Sequence, residues 1–192
     1  TLYAELLTSP HAHARIVNID TSAARKLRGV KDIITGQDIP PIRMLPGLGP
    51  DLPTDQYILA RDKVCYLGDA VAAVAAVDEE TAREAVGLID VRYEVLPAVL
   101  DPEEAMRPGA IKIHDHADRN LAATSLLEYG DVENGFRESD YIREDTFKFP
   151  LIAYCLPEPQ AALASFDSIA GKLTLWASTQ SAYAIRRRLA HV

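Results

Sequence analysis

Eight apolar residues in a row, 70–77, bounded by Asp69 and Asp78, constrain this chain more than any other feature. The run is alanine- and valine-rich and far shorter than the roughly 20 residues a membrane span needs, so it reads as a buried strand. Asp78 can then cap a helix whose first turn carries Glu79 and Glu80, where acidic side chains complement the helix dipole. Ala82, Ala85, Val86 and Ile89 follow at helical spacing and form one buried stripe. The next segment alternates, predicting Val91, Tyr93 and Val95 inward and Arg92 and Glu94 outward. Strand, helix, strand with a right-handed crossover is the economical arrangement.

The flanking sequence predicts the same mixture of elements. Residues 2–7 and 14–19 are apolar-rich and separated by the turn-prone Ser9-Pro10-His11. Asp20 or Thr21 is expected to cap a short helix built on Ala23, Ala24 and Leu27, ended by Gly29 as a left-handed cap. Residues 30–35 resume as a strand. Five prolines in residues 40–53 forbid a central strand or helix and predict a long loop. Residues 64–77 read as a strand pair broken at Gly68-Asp69. Residues 101–119 turn loop-like. Beyond them we expect a strand at 121–129, a short helix capped by Asp131, a strand at 140–149, and strands at 160–167 and 172–178 joined around Gly171. Ala182, Ile185 and Leu189 form the apolar face of a last helix.

Composition excludes several function classes. With a net charge of -8 over 192 residues, the chain lacks the cationic path that non-specific nucleic-acid binding requires. The single basic cluster, Arg186-Arg187-Arg188, reads as a solvated face. Cys65 and Cys155 show no CxxC spacing, which argues against a zinc site or redox dithiol and for a reduced, cytoplasmic protein. No secretory signal pattern opens the chain.

Few side chains point to chemistry. His11 and His13 are two apart and would share a strand face, and His114 and His116 repeat that spacing in the loop-like region. Two histidines rarely complete a metal site without a third ligand. Glu79-Glu80 and Glu103-Glu104 open helices. No GxSxG elbow, phosphate loop, GxGxxG or HExxH is present, and Gly47-Leu48-Gly49 is too short to cradle phosphate. No catalytic or metal-ligating residue is assigned. One candidate remains, in the stretch from Glu158-Pro159-Gln160 to Trp176-Ala177-Ser178-Thr179-Gln180. There a tryptophan-bearing strand meets a Ser-Thr-Gln turn that opens a helix, and the Gln180 amide lies beside unpaired backbone donors, able to donate to an oxygen-rich ligand.

Read together, these segments resemble a known family. Ser9-Pro10-His11-Ala12-His13-Ala14-Arg15-Ile16, Ile19-Asp20-Thr21-Ser22-Ala23-Ala24, Gly29-Val30 and Thr35-Gly36-Gln37-Asp38 are similar to the opening of the molybdenum-binding large subunit of the xanthine dehydrogenase and aldehyde oxidase family. Val64-Cys65-Tyr66-Leu67-Gly68-Asp69-Ala70-Val71-Ala72 and Val91-Arg92-Tyr93-Glu94-Val95-Leu96-Pro97-Ala98-Val99 continue that order and resemble its α/β hammerhead domain. Asn120-Leu121-Ala122, Gly130-Asp131-Val132 and the stretch from Glu158 to Gln180 resemble the start of its first molybdopterin-binding domain.

The resemblance implies an α+β chain: an α/β hammerhead domain over residues 1–105, a linker over 106–119, and the N-terminal part of a molybdopterin-binding domain over 120–192. It implies that Gln180 is a cofactor-binding residue, hydrogen-bonding an oxo ligand of the molybdenum. It further implies oxidative hydroxylation of a heterocycle or aldehyde by a molybdenum-bound hydroxyl that a glutamate deprotonates. Electrons would leave through iron–sulfur clusters to FAD on partner subunits or domains. The family's GGGFGG segment and distal glutamate base are not in the sequence. We therefore expect a fragment of a larger subunit, inactive alone, that associates with itself through Ile185 and Leu189. The competing expectation is a free-standing hammerhead-like scaffold or assembly module without catalysis.

Overall fold

The computed structural model describes residues 1–44, 56–150, 155 and 157–190. Residues 47–49, and most of the proline-rich stretch expected as a loop, lie outside the described residues. The chain divides into two compact units, one of Thr1–Thr124 together with Arg187–Val192 and one of Ser125–Arg186, the boundary falling within the last helix.

In chain order the first unit contains β1 (Tyr3–Thr8), β2 (Ala14–Asp20), α1 (Ser22–Lys26), β3 (Val30–Thr35), β4 (Arg43–Met44), β5 (Gln56–Tyr57), β6 (Lys63–Val64), β7 (Ala70–Ala76), α2 (Glu79–Gly87), β8 (Asp90–Val95) and α3 (Pro102–Ala105). Two three-stranded sheets form, ordered β1-β7-β3 and β6-β2-β8, and β4 pairs with β5 in a short ribbon. Every pairing among them is antiparallel.

The apolar run is indeed the central strand β7. Between Leu7 and Thr8 the β1–β7 register skips Val71, and strand alternation points the Val71 side chain away from the Ala72 and Val74 face. One core cluster joins Ala72 and Val74 to Ile33, Ala24, Ala85 and Ile89. A second joins Val71 to Ala14, Ala60 and Val64. Ile19 and Val91 pack against both clusters, so the two sheets share one interior. Fully burying a valine such as Val71 or Val74 stabilises by about 1.5–3 kcal/mol.

The expected crossover is not formed. β7 and β8 flank α2 in sequence but lie in different sheets. Both edges of β7 are taken by β1 and β3, so the chain leaving α2 pairs with β2 instead. β6 and β7 likewise join different sheets rather than forming a pair. Val91 and Tyr93 are half-buried as expected, whereas Val95, at the sheet's end, is 63% exposed.

Local signals locate the helix starts. Asp78 accepts a hydrogen bond from Thr81 N at 2.8 Å, and Asp101 accepts from Glu103 N and Glu104 N. At α1 the acceptor is Asp20, whose carboxylate takes Ser22 N at 2.8 Å, while the Thr21 side chain makes no cap. The α1 helix ends at Lys26, with Leu27 already extended. Gly29, at φ 105°, serves the turn into β3 rather than the helix cap.

Two sites in this unit carry unusual demands. Gly36 lies against the Leu59–Ala60 backbone, and an added Cβ would fall 2.8 Å from the Ala60 carbonyl carbon and closer still to its oxygen. Asp69, beside Gly68 in the turn before β7, accepts from Cys65 N at 3.0 Å. Burial pushes its carboxyl above the ordinary range, outweighing the hydrogen bonds from Cys65 and Tyr66 and the nearby His114, which pull it down.

The second unit contains α4 (Val132–Glu138), β9 (Ala162–Asp167) and β10 (Lys172–Ala177), with α5 (Ala182–Leu189) closing the described chain. Asp131 caps α4 through Asn134 N at 2.9 Å, as its sequence predicts. The strands expected at 121–129 and 140–149 are absent: among the described residues neither segment has a ladder partner. Apolar and β-branched content can suggest a strand, but one exists only where another edge meets it.

Two outcomes follow for the first unit. Gly36→Ala should destabilise it by about 2 kcal/mol, the cost typical of forcing an atom into packed surroundings, read as a shifted denaturant midpoint. For Asp69 the raised folded value means its favourable contribution is full below about pH 4, where the unfolded carboxyl is also protonated, and is lost as pH rises through the folded value. Asp69→Asn keeps the acceptor for Cys65 N, so its melting temperature relative to wild type should climb from pH 4 to pH 7. A difference that stays flat with pH would contradict this.

Candidate functional site

The hairpin of β9 and β10 carries the Ser-Thr-Gln turn. Asp167 shapes its tip by accepting from Ile169 N at 2.9 Å and Ala170 N at 3.1 Å, and Gly171 takes the left-handed conformation at φ 60°. The register pairs Leu163 with Trp176, Ala164 with Leu175 and Phe166 with Leu173. Opposed residues share a face, so Ala162, Ala164, Phe166, Leu173, Leu175 and Ala177 make one side wholly apolar, with Phe166 67% exposed. Leu163 and Trp176 lie on the other side, with Ser165, Thr174, Asp167 and Lys172.

Beyond the last ladder pair, Ser178 extends the hairpin by side chain as well as backbone. Its N–H donates to Ala161 O at 2.9 Å, and its Oγ accepts from Ala161 N at 3.2 Å and donates to Pro159 O at 3.4 Å. A shallow hollow of about 380 Å³ opens there, lined by Glu158, Ala161, Ala162, Leu163, Trp176, Ala177 and Ser178. Thr179 Oγ1 then accepts from Ser181 N at 3.1 Å, and Ile185 N donates to Ser181 O at 3.3 Å to begin α5. Gln180 stands between these two turns, exposed, and its side chain has no hydrogen-bond partner among the described residues. A primary amide there offers two donors and an acceptor next to the free N–H groups of a helix start. That chemistry fits an oxygen-rich ligand. On α5 itself Ile185 is half-buried and Leu189 is 41% exposed.

The four histidines raised by the sequence are not brought together. His11 and His13 lie in the turn before β2, not on one strand face. His13 is buried, with Nδ1 bonded to Pro97 O at 2.8 Å and Nε2 left without a partner. The His11 ring meets Tyr93 edge-on, with centroids 5.0 Å apart.

His114 and His116 line a polar cleft of about 270 Å³ with Arg43, Lys63, Cys65, Asp69 and Asp115. There Arg43 Nη1 donates to His116 Nδ1 at 3.3 Å, and Lys63 pairs with Asp115 at 3.0 Å. The Lys63 ammonium holds the exposed Asp115 carboxyl below its usual range. Among the described residues no three His, Cys, Asp or Glu side chains are placed to hold a metal ion. Neither Cys65 nor Cys155 forms a disulfide. Neither this cleft nor the Ser178 bridge is evident from the sequence, because each depends on partners far apart in the chain. No helix among the described residues is long and apolar enough to cross a membrane.

Comparisons with known proteins agree on a single lineage. Residues 1–97 match the family model for the aldehyde oxidase and xanthine dehydrogenase a/b hammerhead domain, and residues 113–192 match that for a molybdopterin cofactor-binding domain. The chain is 37% identical over 191 residues to a probable xanthine dehydrogenase subunit of Bacillus subtilis (strain 168), covering all of this chain and 25% of that relative. It is 34% identical over 207 residues to the carbon monoxide dehydrogenase large chain of Afipia carboxidovorans, covering 96% of this chain and 24% of that one. The chain thus spans about a quarter of the length of these two relatives. Among solved structures, quinoline 2-oxidoreductase from Pseudomonas putida 86 superposes with a TM-score of 0.86 at 30% identity, over 98% of this chain and 24% of that one. The two domain matches, in this order and over nearly the whole length, show that the chain belongs to the aldehyde oxidase and xanthine dehydrogenase family of molybdenum-dependent oxidoreductases.

Proposed function

We propose that this chain forms the hammerhead domain, residues 1–105, a linker, 106–119, and the opening of the molybdopterin-binding domain, 120–192, in the large subunit of a cytoplasmic molybdenum hydroxylase. The substrate class is a heterocycle or aldehyde, hydroxylated oxidatively, with iron–sulfur and FAD subunits or domains as electron-carrying partners. When bound, the molybdenum cofactor supplies the two-electron redox chemistry and activates the oxygen nucleophile.

The observation that carries this reading is the exposed Gln180 amide on a strand-to-helix turn. Its Nε2 would donate to an oxygen of the bound cofactor, and the adjoining helix start would favour that electronegative partner. Glu158 borders the neighbouring hollow but receives no catalytic role.

Gln180→Ala in the assembled full-length enzyme should retain molybdenum and lower kcat by about tenfold to a hundredfold, the range expected on losing one preorganised donor. Elemental analysis and steady-state turnover of xanthine and benzaldehyde with a redox dye check it. Full turnover with molybdenum retained would remove Gln180 from the site.

A further inference from the structure

We infer that Ser178 is a positioning residue for Gln180, locking the end of the β9–β10 hairpin so that the amide two residues on is held in one place. The inference rests on the cofactor-facing role proposed for Gln180 and adds a second residue to it.

A two-stranded hairpin without a third strand is marginally stable in water, and its open end frays first. The last ladder pair is Ala162 with Ala177, so pairing would stop three residues short of Gln180. Ser178 prevents that with three hydrogen bonds to the 159–161 segment, two of them made by one hydroxyl. The Oγ takes the Ala161 N–H and gives its own proton to the Pro159 carbonyl, and only a hydroxyl of this reach does both. Pro159 has a fixed φ and no N–H of its own, so its carbonyl is the backbone group it can offer to the bridge.

On the far side, Thr179 Oγ1 accepts from Ser181 N, which ties the turn to the start of α5. Gln180 is therefore fixed from both sides through its backbone while its own side chain makes no hydrogen bond to the described residues. An amide that must meet a ligand without support from neighbouring side chains depends wholly on that backbone placement. Without the hydroxyl, Ala161 N–H and Pro159 C=O turn to water, because the segment is exposed. The loss then falls on geometry more than on global stability.

The test compares Ser178→Ala, Ser178→Thr, Gln180→Ala and the Ser178→Ala/Gln180→Ala pair in the full-length holoenzyme. Molybdenum content and the electron paramagnetic resonance spectrum of dithionite-reduced enzyme are read for each, independently of any substrate. Turnover of xanthine and benzaldehyde with a redox dye is read alongside. We expect Ser178→Ala to retain molybdenum, alter the spectrum in the same sense as Gln180→Ala, and lower kcat about tenfold with KM changed less than about twofold. Ser178→Thr, which keeps the hydroxyl, should restore the wild-type spectrum.

In the Gln180→Ala background, Ser178→Ala should add no further spectral change, because its effect passes through the amide that has been removed. Should Ser178→Ala lose the metal, Ser178→Cys makes the same comparison with a weaker donor. An unchanged spectrum in Ser178→Ala beside an altered one in Gln180→Ala overturns the inference alone. Equal added effects in both backgrounds do the same. Unaltered spectrum and turnover in Gln180→Ala overturn the Gln180 reading, and the role of Ser178 with it.

Discussion

The first unit depends on β7 being paired along both edges and buried on both sides. Any long side chain at Ala72 or Ala76 would hold the covering elements away, and the fully buried Ala24 and Ala85 of α1 and α2 meet the sheet through equally small surfaces. Alternation along the strand matters as much as the composition. It sends Ala72 and Val74 to one core cluster and Val71 to the other, and Ile19 and Val91 span both. With both β7 edges committed, the chain leaving α2 can only complete the other sheet.

That constraint explains which parts of the fold were legible in the sequence. Helix starts at Asp78 and Asp131 are settled by a side chain and a backbone N–H three residues away, so their composition marks them. The burial of residues 70–76 is likewise visible as an unbroken apolar run. Sheet membership is not local. Nothing near Val91 says that its strand pairs with β2 rather than with β7, and the crossover inferred from the order of elements fails for that reason. Segments 121–129 and 140–149 fail in the same way: their apolar residues suggest strands, while the missing ingredient is an edge to meet them.

The site divides along the same line. The Ser-Thr-Gln turn is written in consecutive residues, and its position between a strand and a helix is what the sequence pattern predicts. The bridge from Ser178 to Pro159 and Ala161 spans seventeen to nineteen residues and appears only when the hairpin register is known. The histidines show the converse. They are two apart in the sequence, but the structure gives His13 Nδ1 to Pro97 O and His116 Nδ1 to Arg43, and no third ligand joins either pair among the described residues.

The two units also differ in how completely they satisfy their own apolar groups. In the first, the inward faces of both sheets close on each other. In the second, the hairpin turns an apolar face of Ala164, Phe166, Leu173 and Leu175 outward, and the residues of α4 are almost all exposed. Among the described residues of this unit, no side chain near Gln180 is fully buried, so hydrophobic burial does little to fix the turn. Hydrogen bonding from Asp167 at one end of the hairpin and Ser178 at the other takes that part instead. Such bonds, exposed to water, stabilise by only about 0.5–1.5 kcal/mol each, but they are directional, and direction is what an amide presented to a ligand requires.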